Sequence, residues 1–402
     1  MAGKTKNDVV VVSFARTATG NYGGSLKNLL GIDLAAIAIK EVLNRANYGK
    51  GNFTVDDVIL GQCYYRAKEE PNIGRLAPLK AGLPLEVTGM TLQRACASGL
   101  QAIITGSQEL QTGWRDVVIA GGAESMSNAP YELYQLRWGT KIKNAELVDT
   151  MYGTILSCPP TGTGMGITAE NLCERFNISR DDCDNFSMTS HLRAHKATED
   201  GLFKEEIVPI TVKERGKETV FAVDECIRAD TSMEKLGKLK PVFKEGGKIT
   251  AGNSCPMNDG ASVLVMMTRG TAEKHNLQPL ASIVDFAVVG IDPDIMGYGP
   301  VPATRKALER AGLKLTDIDL FEVNEAFAPV GVVFMKELGL PHDKVNVNGG
   351  AIAMGHAVGS TGGRLSCTLI NEMRRRSVKY GVATICQGTG MGTALIYKNE
   401  AM

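Results

Sequence analysis

Apolar residues along this chain fall into two rhythms: short unbroken runs, and stretches recurring every three or four positions. The run at 9–12 reads as a strand. A helix follows it, with Asp33 as N-cap and Ala35, Ile37, Ile39 and Val42 marking its periodicity. Val58-Ile59-Leu60-Gly61 is the next strand. An extended run over 87–92 then leads into Gln93-Arg94-Ala95-Cys96-Ala97-Ser98-Gly99, after which Leu100, Ile103, Ile104 and Leu110 repeat at helical spacing up to Gly113. Val117-Val118-Ile119-Ala120 is a continuous apolar strand of the kind buried on both faces, closed by Gly121-Gly122.

From about 124 to 248 the texture changes to charged helices and a Pro/Gly-rich loop, Pro159-Pro160-Thr161-Gly162-Thr163-Gly164. One helix there starts at Ser179, with Asp182 at capping-box spacing. The core pattern returns at 262–267 and then repeats the first half. A helix over 302–311 precedes an apolar run over 315–323, as the helix near 33–46 precedes the run at 53–60. Val345-Asn346-Val347 reads as a strand before a glycine-rich turn, a helix over 362–373 and a strand over 382–385. The expected fold class is α/β, with two related mixed-sheet halves, 1–123 plus 249–275 and 276–402, and an inserted loop domain over 124–248.

Composition narrows the setting. The chain has 402 residues, 44% of them hydrophobic and 22% charged, enough for domains with real cores. Lysine plus arginine equals aspartate plus glutamate at 44 each, so nothing points to a nucleic-acid or membrane-surface partner. The nine cysteines are scattered without metal-ligand spacing, so no metal is expected. With no signal-peptide pattern at Met1-Ala2-Gly3-Lys4, the expected location is a reducing cytoplasm.

Four segments carry candidate chemistry. Cys96 precedes a helix, where unpaired N–H groups and the helix dipole favour a thiolate and can lower a thiol pKa from about 8.5; a buried apolar cysteine is the plainer reading. Asn324-Glu325 stands at a strand end, as a polar site or as a helix cap. His356 follows Gly355 in a glycine-rich turn, suited to general-base work or to a structural role. Cys386-Gln387-Gly388-Thr389-Gly390-Met391-Gly392 follows the last apolar strand, where glycine N–H groups can meet an oxyanion or simply make a turn.

Together these segments resemble the thiolase family. The Cys96 loop is similar to its nucleophile loop, while Asn324-Glu325-Ala326-Phe327-Ala328, Gly355-His356 and Cys386-Gln387-Gly388 are similar to its other active-site motifs, in order. Further resemblance lies in Gly121-Gly122-Ala123-Glu124-Ser125-Met126-Ser127, in Met165-Gly166-Ile167-Thr168-Ala169-Glu170-Asn171, and in Arg228-Ala229-Asp230-Thr231 continuing to Lys240-Pro241-Val242-Phe243. The resemblance implies the duplicated αβαβα layered fold and an acyltransferase that condenses acyl-CoA with acetyl-CoA or cleaves 3-oxoacyl-CoA. Coenzyme A and acyl-CoA would be substrates, with no further cofactor. Cys96 would carry the acyl group, His356 would take its proton, and Cys386 would act as acid and base. His356 and a water held by Asn324 would stabilise the enolate, and the N–H groups of Cys96 and Gly388 would form a second oxyanion hole. Arg228 would lie near the nucleotide of CoA, with Met165 and Phe243 along the pantetheine or acyl path.

Three positions depart from the family pattern. Gly164 stands where many short-chain members carry histidine, Cys255 where a pantetheine-contacting serine is usual, and Ala357 where proline commonly follows the histidine. Acetyl-CoA acetyltransferase is the leading expectation, and a thiolase for a bulkier 3-oxoacyl-CoA is second. A condensing enzyme of another thiolase-fold class would lack Cys386, and a redox pair of Cys96 and Cys386 leaves His356 and Asn324 unexplained. The stretch 127–149, with Arg137-Trp138-Gly139, resembles an assembly loop of tetrameric members and implies a homotetramer, with a dimer as minimum.

Overall fold

The computed structural model describes residues 5–50, 53–154, 157–214 and 216–401. Met1-Ala2-Gly3-Lys4, on which the reading of the N-terminus rests, lies outside them. Nine strands form the path of one mixed sheet: β1 (Val9–Thr17), β2 (Asp57–Gly61), β3 (Thr88–Leu92), β4 (Val117–Ser125), β5 (Asn258–Thr268), β6 (Ala281–Gly290), β7 (Leu320–Val323), β8 (Tyr380–Gln387) and β9 (Met391–Asn399). Their spatial order is β7-β8-β9-β6-β1-β5-β4-β2-β3. Strand β2 is parallel to β3 and β4, and β5 is antiparallel to β4 and β1. In the second half β7 is parallel to β8, while β9 is antiparallel to β8 and β6. The halves join where β1 meets β6, with Val10 opposite Ser282 and Val11 opposite Ala281.

Period-two alternation sends each strand's side chains to two different cores. Val10 and Val12 pack with Leu34, Ile39 and Val42 of α1 (Gly31–Arg45) on one outer face. Val9 and Val11 face the middle layer, where α2 (Ser98–Gln111) supplies Leu100, Ile103 and Leu110, and the last major helix, Thr361–Arg376, supplies Leu365, Leu369 and Met373. In the second half, Val382 and Ile396 face a third core, against Ala303 and Ala307 of the helix Pro300–Ala311. Ala383, Ile385 and Leu395 face the middle layer. Three cores separated by the two halves of the sheet make the duplicated αβαβα layering. It explains why the strands read as unbroken apolar runs.

Between β4 and β5 the chain leaves this frame and builds α3 (Met165–Arg175) and α4 (Arg180–Glu199). Ser179 caps α4 as its spacing predicts: Ser179 Oγ accepts from Asp182 N at 3.0 Å, and Asp182 Oδ2 accepts from Ser179 N at 2.8 Å. The remaining long helices are α5 (Pro300–Ala311), α6 (Ala328–Leu338) and α7 (Thr361–Arg376). No helix among the described residues is long and apolar enough to cross a membrane.

Two local expectations change. Asp33 is the third residue of α1 rather than its N-cap, and its carboxylate accepts from Leu30 N at 2.9 Å. Residues 345–347 do not form a full strand: Val345 makes a single parallel bridge to Phe321. Asn346 then turns with φ of 47°, and its side-chain amide takes the place of a strand partner. Its Oδ1 accepts from Val323 N at 2.8 Å and its Nδ2 donates to Val323 O at 2.9 Å.

The first turns of α2 and α7 meet backbone to backbone. A methyl on Gly362 would fall on the backbone nitrogen of Leu100, and one on Gly99 would sit 2.7 Å from Gly359 O. Gly362→Ala is therefore expected to destabilise the protein by about 3 kcal/mol or more. Gly290→Ala, at a position with nothing within 4 Å of a new methyl, is expected to stay within about 0.5 kcal/mol. Urea-unfolding midpoints of the two variants check both.

Candidate active site

Cys96 lies on the turn between β3 and α2. The residue before it, Ala95, has φ of 45°, an uncommon conformation for a side chain with a Cβ. The Ser98 hydroxyl holds the turn, accepting from Arg94 N at 2.8 Å and donating to Ala95 O at 2.7 Å. Cys63 Sγ donates to the same carbonyl at 3.3 Å. Behind it the Glu124 carboxylate ties Cys63 N (3.0 Å), Tyr64 N (3.0 Å) and Gly359 N (2.9 Å), which links the loops of both halves.

The expected lowering of the Cys96 pKa by the helix terminus does not hold. Burial pushes the thiol up to about 11, against the pull of the Gly388 and Cys96 N–H groups. Removing the thiolate from water costs more than two N–H dipoles return. Those two N–H groups are nonetheless the pair singled out from the sequence, and both act on the Cys96 sulfur.

Gly388 reaches Cys96 because the β8–β9 hairpin turns tightly through Gly388, Thr389 (φ 69°) and Gly390 (φ 82°). Cys386, opposite Gly392 near the end of β8, is fully buried. Burial raises its thiol well above the ordinary range, and the neighbouring Cys96 and Cys255 raise it further. Cys255 in turn is raised, to a lesser degree than by burial, by Cys96. The fold thus gathers three thiols scattered along the sequence.

His356 follows Gly355, whose φ of 102° suits glycine and whose missing side chain leaves room for Asn258. Asn258 Oδ1 accepts from His356 N at 2.8 Å, and Asn258 Nδ2 donates to Gly20 O at 2.9 Å. Burial, reinforced by Arg364, holds the imidazole down at about 3. Its Nδ1 is 2.7 Å from Thr361 Oγ1, and its Nε2 is 3.5 Å from Asn324 Nδ2. Asn324 Oδ1 is buried without a hydrogen-bond partner among the described residues, the signature of a position for a water or a ligand. The helix-cap reading of Asn324-Glu325 fails, since α6 starts at Ala328. Glu325 instead accepts from Ser190 Oγ (2.7 Å), Asn346 Nδ2 (2.7 Å) and Ile352 N (3.1 Å), pinning this strand end to α4.

The other predicted contacts divide into those near these segments and one apart from them. Met165 opens α3, and a methyl on Gly388 would lie 3.6 Å from its sulfur. Phe243 packs on Gly166 and meets Phe327 edge-on at 6.0 Å. Cys255 N donates to Ala326 O at 3.1 Å, so this thiol rides on the Asn324 segment. Gly164 is the half-buried N-cap of α3. Arg228 is not gathered in: it is exposed, with its backbone N donating to His191 Nδ1 at 3.2 Å. Sequence reasoning missed Ser98, Asn258 and Thr361, whose roles depend on partners distant in the chain or on turn geometry. Ser98 and Glu124 stood inside quoted motifs, whereas nothing in the sequence marked Asn258 or Thr361.

The family models for "Thiolase, N-terminal domain" and "Thiolase, C-terminal domain" match residues 9–270 and 277–399. The acetyl-CoA acetyltransferase of Rhizobium meliloti is 45% identical over 387 residues, spanning 96% of this chain and 98% of the relative. Among solved structures, the Bacillus anthracis acetyl-CoA acetyltransferase is 46% identical with a TM-score of 0.94, covering 98% of both chains. Human mitochondrial 3-ketoacyl-CoA thiolase in complex with CoA is 41% identical with a TM-score of 0.94, covering 99% of this chain and 100% of that one.

With burial raising the Cys96 thiol to about 11 and lowering the His356 imidazole to about 3, both are expected to be uncharged at neutral pH in the free protein. Alkylation of Cys96 by iodoacetamide is expected to keep accelerating beyond about pH 9, without a plateau near neutrality. Rate constants measured across that range, with Cys96 identified by peptide mass, check this. A plateau between about pH 6 and 8 would reveal a resting thiolate–imidazolium pair.

Proposed function

Because this chain belongs to the thiolase family and is an acyltransferase, we propose that it transfers acetyl groups between acetyl-CoA molecules, reversibly, through an acyl-enzyme on Cys96. The observation that carries this reading is the convergence of two backbone N–H groups and a second buried thiol on Cys96. A thioester carbonyl attacked by Cys96 becomes an oxyanion, and two preset N–H donors are suited to hold it. His356 takes the Cys96 proton. Cys386 removes the α-proton of the second acyl-CoA, or donates one to the departing enolate during thiolysis. The unpartnered Asn324 Oδ1 supports a water there that, with His356, meets the enolate oxygen.

Met165 and Phe243 line the proposed pantetheine or acyl path, and the exposed Arg228 guanidinium is free to approach the CoA nucleotide from solvent. A second reading, a thiolase for a bulkier 3-oxoacyl-CoA, is favoured by Gly164, which leaves the pocket wall without a side chain, and by the thiol of Cys255. The proposed division into 1–123 with 249–275, 124–248 and 276–402 is supported by the long excursion of the chain between β4, which ends at Ser125, and β5, which starts at Asn258. Nine free thiols support a reducing compartment, which we take to be the cytoplasm.

Cys96→Ala is expected to abolish acyl-enzyme formation, and Cys386→Ser to acylate but condense poorly. Intact-mass detection after exposure to a panel of 3-oxoacyl-CoA thioesters of increasing chain length reads out both the loaded residue and the preferred acyl group. Full thiolysis by Cys96→Ala would sink the assignment.

The loop over 127–149 exposes Tyr131, Tyr134, Leu136, Trp138 and Ile142, with Trp138 91% exposed, which supports a homotetramer with a dimer as minimum. Gel filtration is expected to give a tetramer mass. A monomer mass would count against both assemblies.

A further inference from the structure

Two hydrogen bonds decide which nitrogen of His356 can act as a base. Thr361 is the first residue of α7, and its hydroxyl has a single proton. That hydroxyl lies 2.9 Å from Ala357 O, one helical turn back, and a carbonyl can only accept. The hydroxyl donates there, to an oxygen that also accepts from Ser360 N and Thr361 N at 2.9 Å each. The hydroxyl oxygen is 2.7 Å from His356 Nδ1, so the ring must supply the proton of that second bond. A neutral imidazole with hydrogen on Nδ1 carries its lone pair on Nε2. On that side the contact to Asn324 Nδ2 is long, at 3.5 Å, and comes from a group that can donate. Thr361 is 2% and His356 5% exposed, so bulk water has no access to replace the hydroxyl.

We propose that Thr361 is a positioning residue that locks His356 in the Nδ1–H tautomer, which leaves Nε2 as the single atom that receives and returns the Cys96 proton. This deepens the acyl-transfer reading and rests on it. In the thiolytic direction the proton passes from Cys96 Sγ to His356 Nε2 as the sulfur bonds to the 3-oxo carbon. The carbon–carbon bond then breaks, and the departing enolate takes the Cys386 proton at its α-carbon. While that enolate forms, Nε2–H faces its oxygen, and Thr361 Oγ1 accepts from Nδ1–H of the charged ring. Cys386 thiolate next deprotonates CoA, whose sulfur attacks the acyl group. Cys96 leaves as thiolate and recovers its proton from Nε2. No proton is left over, and Nδ1 keeps its hydrogen throughout.

The test uses the full-length protein labelled with ¹⁵N-histidine, the His356 signals being assigned by their loss in His356→Gln. The wild-type spectrum at neutral pH is expected to show a protonated Nδ1 and an unprotonated Nε2. Thr361→Val is expected to move the ring towards the Nε2–H form and slow Cys96 acylation by about tenfold to a hundredfold, with KM little changed. Thr361→Ser, which keeps the hydroxyl, is expected to restore both. A wild-type ring protonated on Nε2 overturns the proposal without any variant, as does Thr361→Val with unaltered tautomer and rate. Should no thioester acylate Cys96 while the labelled ring still follows the Thr361 hydroxyl, the acyl-transfer reading fails and the tautomer lock stands.

Discussion

The site depends on a contact between two helices that only glycine allows. Helices α2 and α7 come from different halves of the chain, yet their first turns touch through Gly99 and Gly362, with Gly359 wedged against Gly61 and Gly122. Ser262 Oγ donates to Ser360 O at 2.5 Å at the same level. Each helix is preceded by the loop that carries its reactive residue, Cys96 before α2 and His356 before α7. Bringing the two helix starts together therefore brings the two chemistries to one end of the middle layer. The sheet alone would not do this, since it joins the halves at β1 and β6 rather than at the site.

Burial then sets the electrostatic character of what has been gathered. Each reactive group is shifted towards its neutral form, the thiols of Cys96 and Cys386 upward and the imidazole of His356 downward. Desolvation leads every one of these shifts. A site that resists charge at rest does little until a substrate supplies a carbonyl that can share the charge. Fixed N–H groups then act in a medium where they count for more than they would in water. Ala95 and Thr389, each a non-glycine residue at positive φ, adjoin Cys96 and Gly388, whose N–H groups act on the Cys96 sulfur.

Much of this was legible in the sequence, and the limits have physical causes. Unbroken apolar runs such as Val117-Val118-Ile119-Ala120 announced strands buried on both faces, and the Ser179/Asp182 spacing announced a cap. Motif resemblance led to Cys96, Asn324, His356, Cys386 and Gly388; the fold brings Gly388 and Cys386 to Cys96, and Asn324 to His356. Periodicity could not tell an N-cap from the third residue of a helix, so Asp33 was misplaced by position though not by chemistry. It could not see that Asn346 would end a strand with its own side chain. The pKa of Cys96 was misread because a helix terminus is visible in sequence while the depth of burial is not. Ser98, Asn258 and Thr361 are ordinary polar residues, and their significance lies wholly in which atoms face them.

The substitution of a side chain for a strand at Asn346 has a consequence for how the sheet ends. At one margin β3 pairs with β2 among the described residues, and its outward-facing Gly89 O accepts from Asn72 Nδ2 at 3.1 Å. At the other, β7 is four residues long, with Phe321 O taken by Asn346 N at 2.9 Å and both polar groups of Val323 taken by the Asn346 amide. At both margins a side-chain amide takes backbone groups that a further strand would need. One asparagine at each margin thus does what a further strand would otherwise be recruited to do.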